Sequence, residues 1–117
     1  MGQTDVIDKA ALKRLLDVIG GDPEDLQELL EEFEATTPTL LAAMQNAAAA
    51  GDLGELRIAA HSLKSNGRDF GATALATACH DLEAACKNGT VEGPVGQVEI
   101  IASELTRARE ALSGIAL

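Results

Sequence analysis

Apolar residues recur along the chain at helical spacing, and polar punctuation divides the pattern into five segments. In the first, from about Asp5 to Ile19, Ile7, Leu12, Leu15, Leu16 and Ile19 form an apolar stripe that stops at Gly20-Gly21. Asp22-Pro23-Glu24-Asp25 then supplies an N-cap residue, a proline at the first helical position and two acids in the positive first turn. The second segment carries Leu26, Leu29, Leu30, Phe33, Leu40, Leu41 and Met44 toward Gly51, and Pro38 inside it predicts a kink or short break near Thr36 and Thr37. Asp52 with Glu55 three residues later starts a third helix, expected to reach Gly67 or Phe70. A fourth spans Ala72 to Lys87. After the loop Asn88 to Gly93, Pro94 opens a fifth along Val98, Ala102, Leu105, Ala108 and Leu112. The expected fold is all-α: an antiparallel, up-down four-helix bundle preceded by a short additional helix.

Composition supports that reading. With 46% hydrophobic residues and 117 residues in all, the chain can fill one core, and residues 1–117 are read as a single domain. Aromatics make up only 2% and Trp and Tyr are absent, so alanine and leucine must do most of the packing. Nine basic against nineteen acidic side chains give a formal charge of −10, which repels a phosphate backbone or an anionic membrane surface. Nucleic acid and membrane are therefore not expected partners. No apolar run approaches the roughly 20 residues of a spanning helix, and MGQTDVIDKA lacks a signal peptide's apolar stretch, so a cytoplasmic protein is expected. Cys79 and Cys86 stand one heptad apart on a single helix, a rise of about 10 Å that is too long for a disulfide, and read as reduced core thiols.

Chemistry first shows on the third helix. Leu53, Leu56, Ala60, Leu63 and Gly67 share one stripe, and His61 lies just off it on a ridge with Arg57, Lys64 and Arg68. Three of nine basic residues thus surround one histidine on an acidic protein. Such a ridge can hold an anion beside the imidazole, and from periodicity alone it reads equally as ordinary solvated surface. Other site chemistries lack their residues. Adjacent Cys79 and His80 diverge on a helix, so a metal site with His61, Glu83 and Cys86 has no clustered ligands. No phosphate-binding glycine loop, dinucleotide turn or G-x-S-x-G is present. Neither a metal nor a cofactor is expected. His80 lies about 100° round from the Leu75, Cys79, Leu82 and Cys86 stripe and reads as a solvated histidine.

His61-Ser62-Leu63-Lys64-Ser65, followed by Gly71-Ala72, Leu75, Cys79 and Leu82-Glu83, resembles the motif of histidine-containing phosphotransfer (HPt) domains, here spanning 61–83. Gly20-Gly21-Asp22-Pro23, the Phe33 to Pro38 segment and the Ala50 to Asp52 turn extend the likeness over most of the chain. The resemblance implies that His61 is a phosphoacceptor in a two-component phosphorelay. It would exchange a phosphoryl group with the aspartate of a response-regulator receiver domain and serve a hybrid sensor histidine kinase, as a monomeric carrier without ATP-dependent kinase activity. The Mg²⁺ of the reaction would be the receiver's. Lys64, one turn along, is then placed to stabilise phosphoryl charge, so Lys64→Ala is expected to slow transfer on the order of 10²-fold with little loss of stability.

Glu83 matches a position that in several relatives holds a polar side chain contacting the active imidazole. A carboxylate there accepts from Nδ1–H and leaves Nε2 free to attack. From helix-pair spacing alone Glu83 reads equally as a surface residue helped by Lys87. Ser65 stands where the family usually has glycine, and Arg68 where it usually has a small residue. With Arg57, these two are the expected partner-binding residues. The competing reading is a helical-bundle adaptor that binds a signalling partner without phosphoryl chemistry.

Overall fold

The computed structural model describes residues 6–115. It contains α1 (Lys9–Val18), α2 (Pro23–Ala50), α3 (Leu53–Asp69), α4 (Thr73–Lys87) and α5 (Pro94–Ser113), with no strand among the described residues. Each of α2, α3, α4 and α5 packs on its neighbours around a ring, α2 on α3, α3 on α4, α4 on α5 and α5 back on α2. The short α1 lies against α2 and α3. The architecture is the expected four-helix bundle with one leading helix. None of these helices is long and apolar enough to cross a membrane.

The ends form where the local chemistry dictates. Carboxylates of Asp8, Asp22 and Asp52 accept from the backbone N–H groups of Ala10, Glu24 and Glu55 and so cap α1, α2 and α3. Helix α1 accordingly begins at Lys9, later than the apolar pattern suggests, while Asp5 lies outside the described residues. Gly51 closes α2 in the left-handed region, at φ 69°.

The break expected at Thr36 and Thr37 does not occur, and α2 runs unbroken through Pro38. Both threonine hydroxyls donate back one turn, Thr36 to the Glu32 carbonyl and Thr37 to that of Phe33, at 2.9 and 2.7 Å. Thr37 is fully buried, and this bond satisfies its hydroxyl. Proline removes one N–H from the ladder, but its ring faces solvent. Buried Leu30 and Phe33 on one side and Met44 and Ala47 on the other anchor both halves in the same bundle.

The core is aliphatic, with Leu12, Met44, Leu56, Leu63, Leu75, Leu82, Ile101 and Leu105 essentially inaccessible. Each such burial contributes roughly 1.5–3 kcal/mol. The single aromatic contact, Phe33 on Phe70 with ring centroids 4.8 Å apart, joins α2 to the end of α3. Helices α3 and α4 approach closely at Gly67, where an added Cβ would lie 3.3 Å from the backbone nitrogen of Ala76. Gly71, in the turn between them, has φ +76° and accepts from the Asp8 N–H at 2.8 Å, tying α1 to the hairpin. These two glycines bring the outer faces of α3 and α4 together, and the titratable residues meet there.

Candidate functional site

Buried Leu56, Ala60 and Leu63 fix the rotation of α3, and Leu75, Cys79, Leu82 and Cys86 fix that of α4. With both faces set, His61 and Glu83 meet across the seam. His61 Nδ1 lies 2.8 Å from Glu83 Oε2. The imidazole is 60% exposed and the Glu83 side chain only 4%, so a buried carboxylate holds an accessible ring by one nitrogen.

Lys64 is turned onto the same carboxylate, with Nζ 2.6 Å from Glu83 Oε1 and its side chain 13% exposed. Lys87, four residues beyond Glu83, approaches Oε2 at 3.8 Å and remains open to solvent. The Lys64 contact is the main cause holding the Glu83 carboxyl down at about 2. Burial opposes it, and His61 adds to the lowering. At neutral pH Glu83 is therefore an anion and accepts the proton of Nδ1. A neutral His61 ring then carries its lone pair on Nε2, the nitrogen without a partner among the described residues.

The structure divides the sequence's basic ridge. Arg57 lines a shallow cleft with Ile58, His61, Ser62, Glu83 and Lys87. Lys64 sits under the ring as partner of Glu83, whereas Arg68 lines a separate groove with Arg14 and His80. Ser65 is exposed on the turn after Lys64. Three cleft residues lie outside the candidate set read from sequence: Ser62 beside the histidine, Lys87 as a cation near the imidazole and Ile58 as an exposed apolar side chain. Lys87 was legible as an i+4 neighbour of Glu83, but its reach to the histidine needed the α3–α4 register.

The cysteines take no part. Both are free and buried, and burial pushes the Cys79 thiol up to about 12 against the pull of the Lys64 charge and also raises that of Cys86. His80 is exposed, as its angular position implies, and lines the separate groove with Arg14 and Arg68.

The helical bundle that presents this site has counterparts among solved structures. No curated protein matches the sequence. Among solved structures, histidine-containing phosphotransfer protein B from Pseudomonas aeruginosa is similar, with a TM-score of 0.85 and 26% identity over 95% of this chain and 94% of that one. The HPT domain of a sensor hybrid histidine kinase from Shewanella shares the fold, with a TM-score of 0.72 and 21% identity over 91% and 95%. The model of the Hpt domain matches residues 28–111, a span that starts in α2 and holds His61, Lys64 and Glu83. The chain belongs to the Hpt domain family.

Proposed function

We propose that the protein carries a phosphoryl group on His61 Nε2 and exchanges it with the aspartate of response-regulator receiver domains, receiving or returning it within a phosphorelay that includes a hybrid sensor histidine kinase. Family membership supports a phosphotransfer role in two-component signalling. The observation that carries the residue-level reading is the contact between exposed His61 and buried Glu83.

The lone pair of Nε2 attacks the phosphorus of the receiver's aspartyl phosphate, the bond from phosphorus to the aspartate oxygen breaks, and the aspartate leaves as a carboxylate. The ring becomes a phosphoimidazolium whose positive charge is spread to Nδ1–H. Glu83 faces that N–H with a full negative charge, so the product cation is stabilised where it forms. A loose phosphoryl transfer asks mainly for alignment and for cations at the equatorial oxygens. Arg57 and Lys87 flank His61 in the open cleft and serve that need, while Lys64 acts through Glu83 as a positioning residue. The reverse reaction uses the same groups. The protein holds the phosphoryl group between partners and is a carrier in that sense.

Incubation with a phosphorylated receiver domain tests this. Acid-labile, base-stable label should appear on the protein and map to His61, and His61→Gln should abolish it while the helical circular dichroism is kept. Label that persists in the variant, or that maps to His80, overturns the assignment. A partner that binds the parent protein without any transfer favours the adaptor reading.

A further inference from the structure

The groove where α1 meets the α3–α4 hairpin is the second concentration of positive charge on this acidic chain. It encloses about 390 Å³ and is lined by Arg14 of α1, Arg68 of α3 and His80, Thr73 and Thr77 of α4. Neither arginine, nor His80, pairs with an acidic side chain among the described residues. Asp8 also lines the groove, but its carboxylate is committed to the backbone N–H of Ala10 as the cap of α1. Alanines 11 and 76 line it with the smallest side chains and keep it open.

Its position relates it to the histidine. Arg68 follows His61 by seven residues on α3, which places it on the same stripe about 10 Å along the axis. A standard protein interface covers roughly 800 Å² per partner, a patch on the order of 30 Å across. Any partner domain seated on His61 with such a footprint reaches this groove.

We infer that the groove formed by Arg14, Arg68 and His80 is a second docking point, which receives an acidic segment of the receiver domain while His61 meets the receiver's aspartate. This rests on the phosphotransfer reading and adds a partner-selecting contact to it. The reasoning is charge complementarity. A receiver presents its acceptor aspartate and the carboxylates that hold its Mg²⁺, and a chain of net charge −10 repels such a surface unless cations are placed under it. The cations at Arg57 and Lys87 cover the immediate surroundings of the histidine. Those at Arg14 and Arg68 lie at one side of the footprint and fix the receiver's rotation about the phosphoryl axis. Receivers without an acidic segment at that radius gain nothing from the groove, which is how it discriminates.

The test uses the full chain and an isolated receiver domain first shown to take label from the phosphorylated parent. Affinity is measured for the parent, for Arg14→Gln, for Arg68→Gln, for the double variant, and for Arg107→Gln. Arg107 lies on α5, already paired with Glu104, and gives a one-charge control away from the groove, matched to each single variant. At about 50 mM salt the double variant should bind roughly three- to tenfold more weakly than the parent, with Arg107→Gln within twofold of it. At about 300 mM salt the difference should contract toward twofold, because exposed charges are screened. Because Arg14 and Arg68 are exposed, glutamine leaves the helices intact, and unchanged circular dichroism and melting temperature check this. A double variant that binds as tightly as Arg107→Gln at low salt overturns the groove as a docking point. Failure of the parent to exchange label with any receiver overturns the phosphotransfer reading itself, and the inference with it.

Discussion

Glu83 Oε2 and His61 Nδ1 lie 2.8 Å apart although 22 residues separate them in the chain. The pairing is possible because α3 and α4 are held at close range by Gly67 and turned back on each other at Gly71. It orients the ring, sets its tautomer and, in the proposed reaction, places a negative charge under the nitrogen that would gain positive charge on phosphorylation of Nε2.

Replacing Glu83 by glutamine keeps the shape and removes the charge. Phosphoryl acceptance by Glu83→Gln should slow on the order of 10²-fold in single-turnover assays at saturating receiver, with receiver affinity retained. Equal rates in variant and parent would remove Glu83 from the mechanism.

The structure changes the expectation for Lys64. Its ammonium is the closest partner of a buried carboxylate, so Lys64→Ala leaves Glu83 under-compensated as well as slowing transfer. A stability loss of about 1–3 kcal/mol is expected in urea unfolding, where the role implied by the resemblance suggested little. If the unfolding midpoint does not move, the contact contributes nothing net.

Acid should expose the same pair. The folded-state pKa of Glu83 is lowered from 4.5 to about 2, so its stabilising contribution is fully present above about pH 4.5 and is lost as the pH falls toward 2. Urea unfolding at a series of pH values across that window should show the parent losing stability more steeply than Glu83→Gln. Parallel curves would mean that the carboxylate titrates alike in folded and unfolded chains.

Gly71→Ala should loosen the attachment of α1. An added Cβ there would lie 2.5 Å from the Asp8 carbonyl oxygen, and the backbone sits at φ +76°, so both contact and conformation are strained. A lowered melting temperature with faster amide exchange in α1 than in α3 and α4 is expected. Uniform exchange along the chain would show that the strain is absorbed elsewhere.

Much of this was legible in the sequence, and for physical reasons. Gly20-Gly21, Asp22-Pro23, Gly51-Asp52 and Pro94 act within a few residues of themselves, so they mark helix ends without tertiary information. Pro38 does not break α2, because whether a proline ends a helix is decided by tertiary packing. The buried side chains on either side of it hold one continuous helix. Angular position on α3 groups His61 with Arg57, Lys64 and Arg68, but an angle does not say which neighbour a long side chain turns to. Lys64 turns to Glu83 and Arg68 to the groove beside α1, and both choices depend on the packing of elements distant in sequence. The burial of Glu83 was likewise invisible, since its helix position alone fits an exposed i,i+4 partner of Lys87.

The α3–α4 hairpin has a consequence for how the protein can be cut and rebuilt. His61, Lys64, Glu83 and Lys87 all lie on one continuous stretch that ends before the exposed loop at Asn88 to Gly93. Gly89 and Gly93 there have open space around them. Cleavage in this loop, or insertion of a foreign domain into it, would leave the whole constellation on one fragment, with α5 retained through Val98, Ile101, Leu105, Ala108 and Leu112. The His61–Glu83 constellation is thus separable in the chain from the helix that closes the bundle behind it.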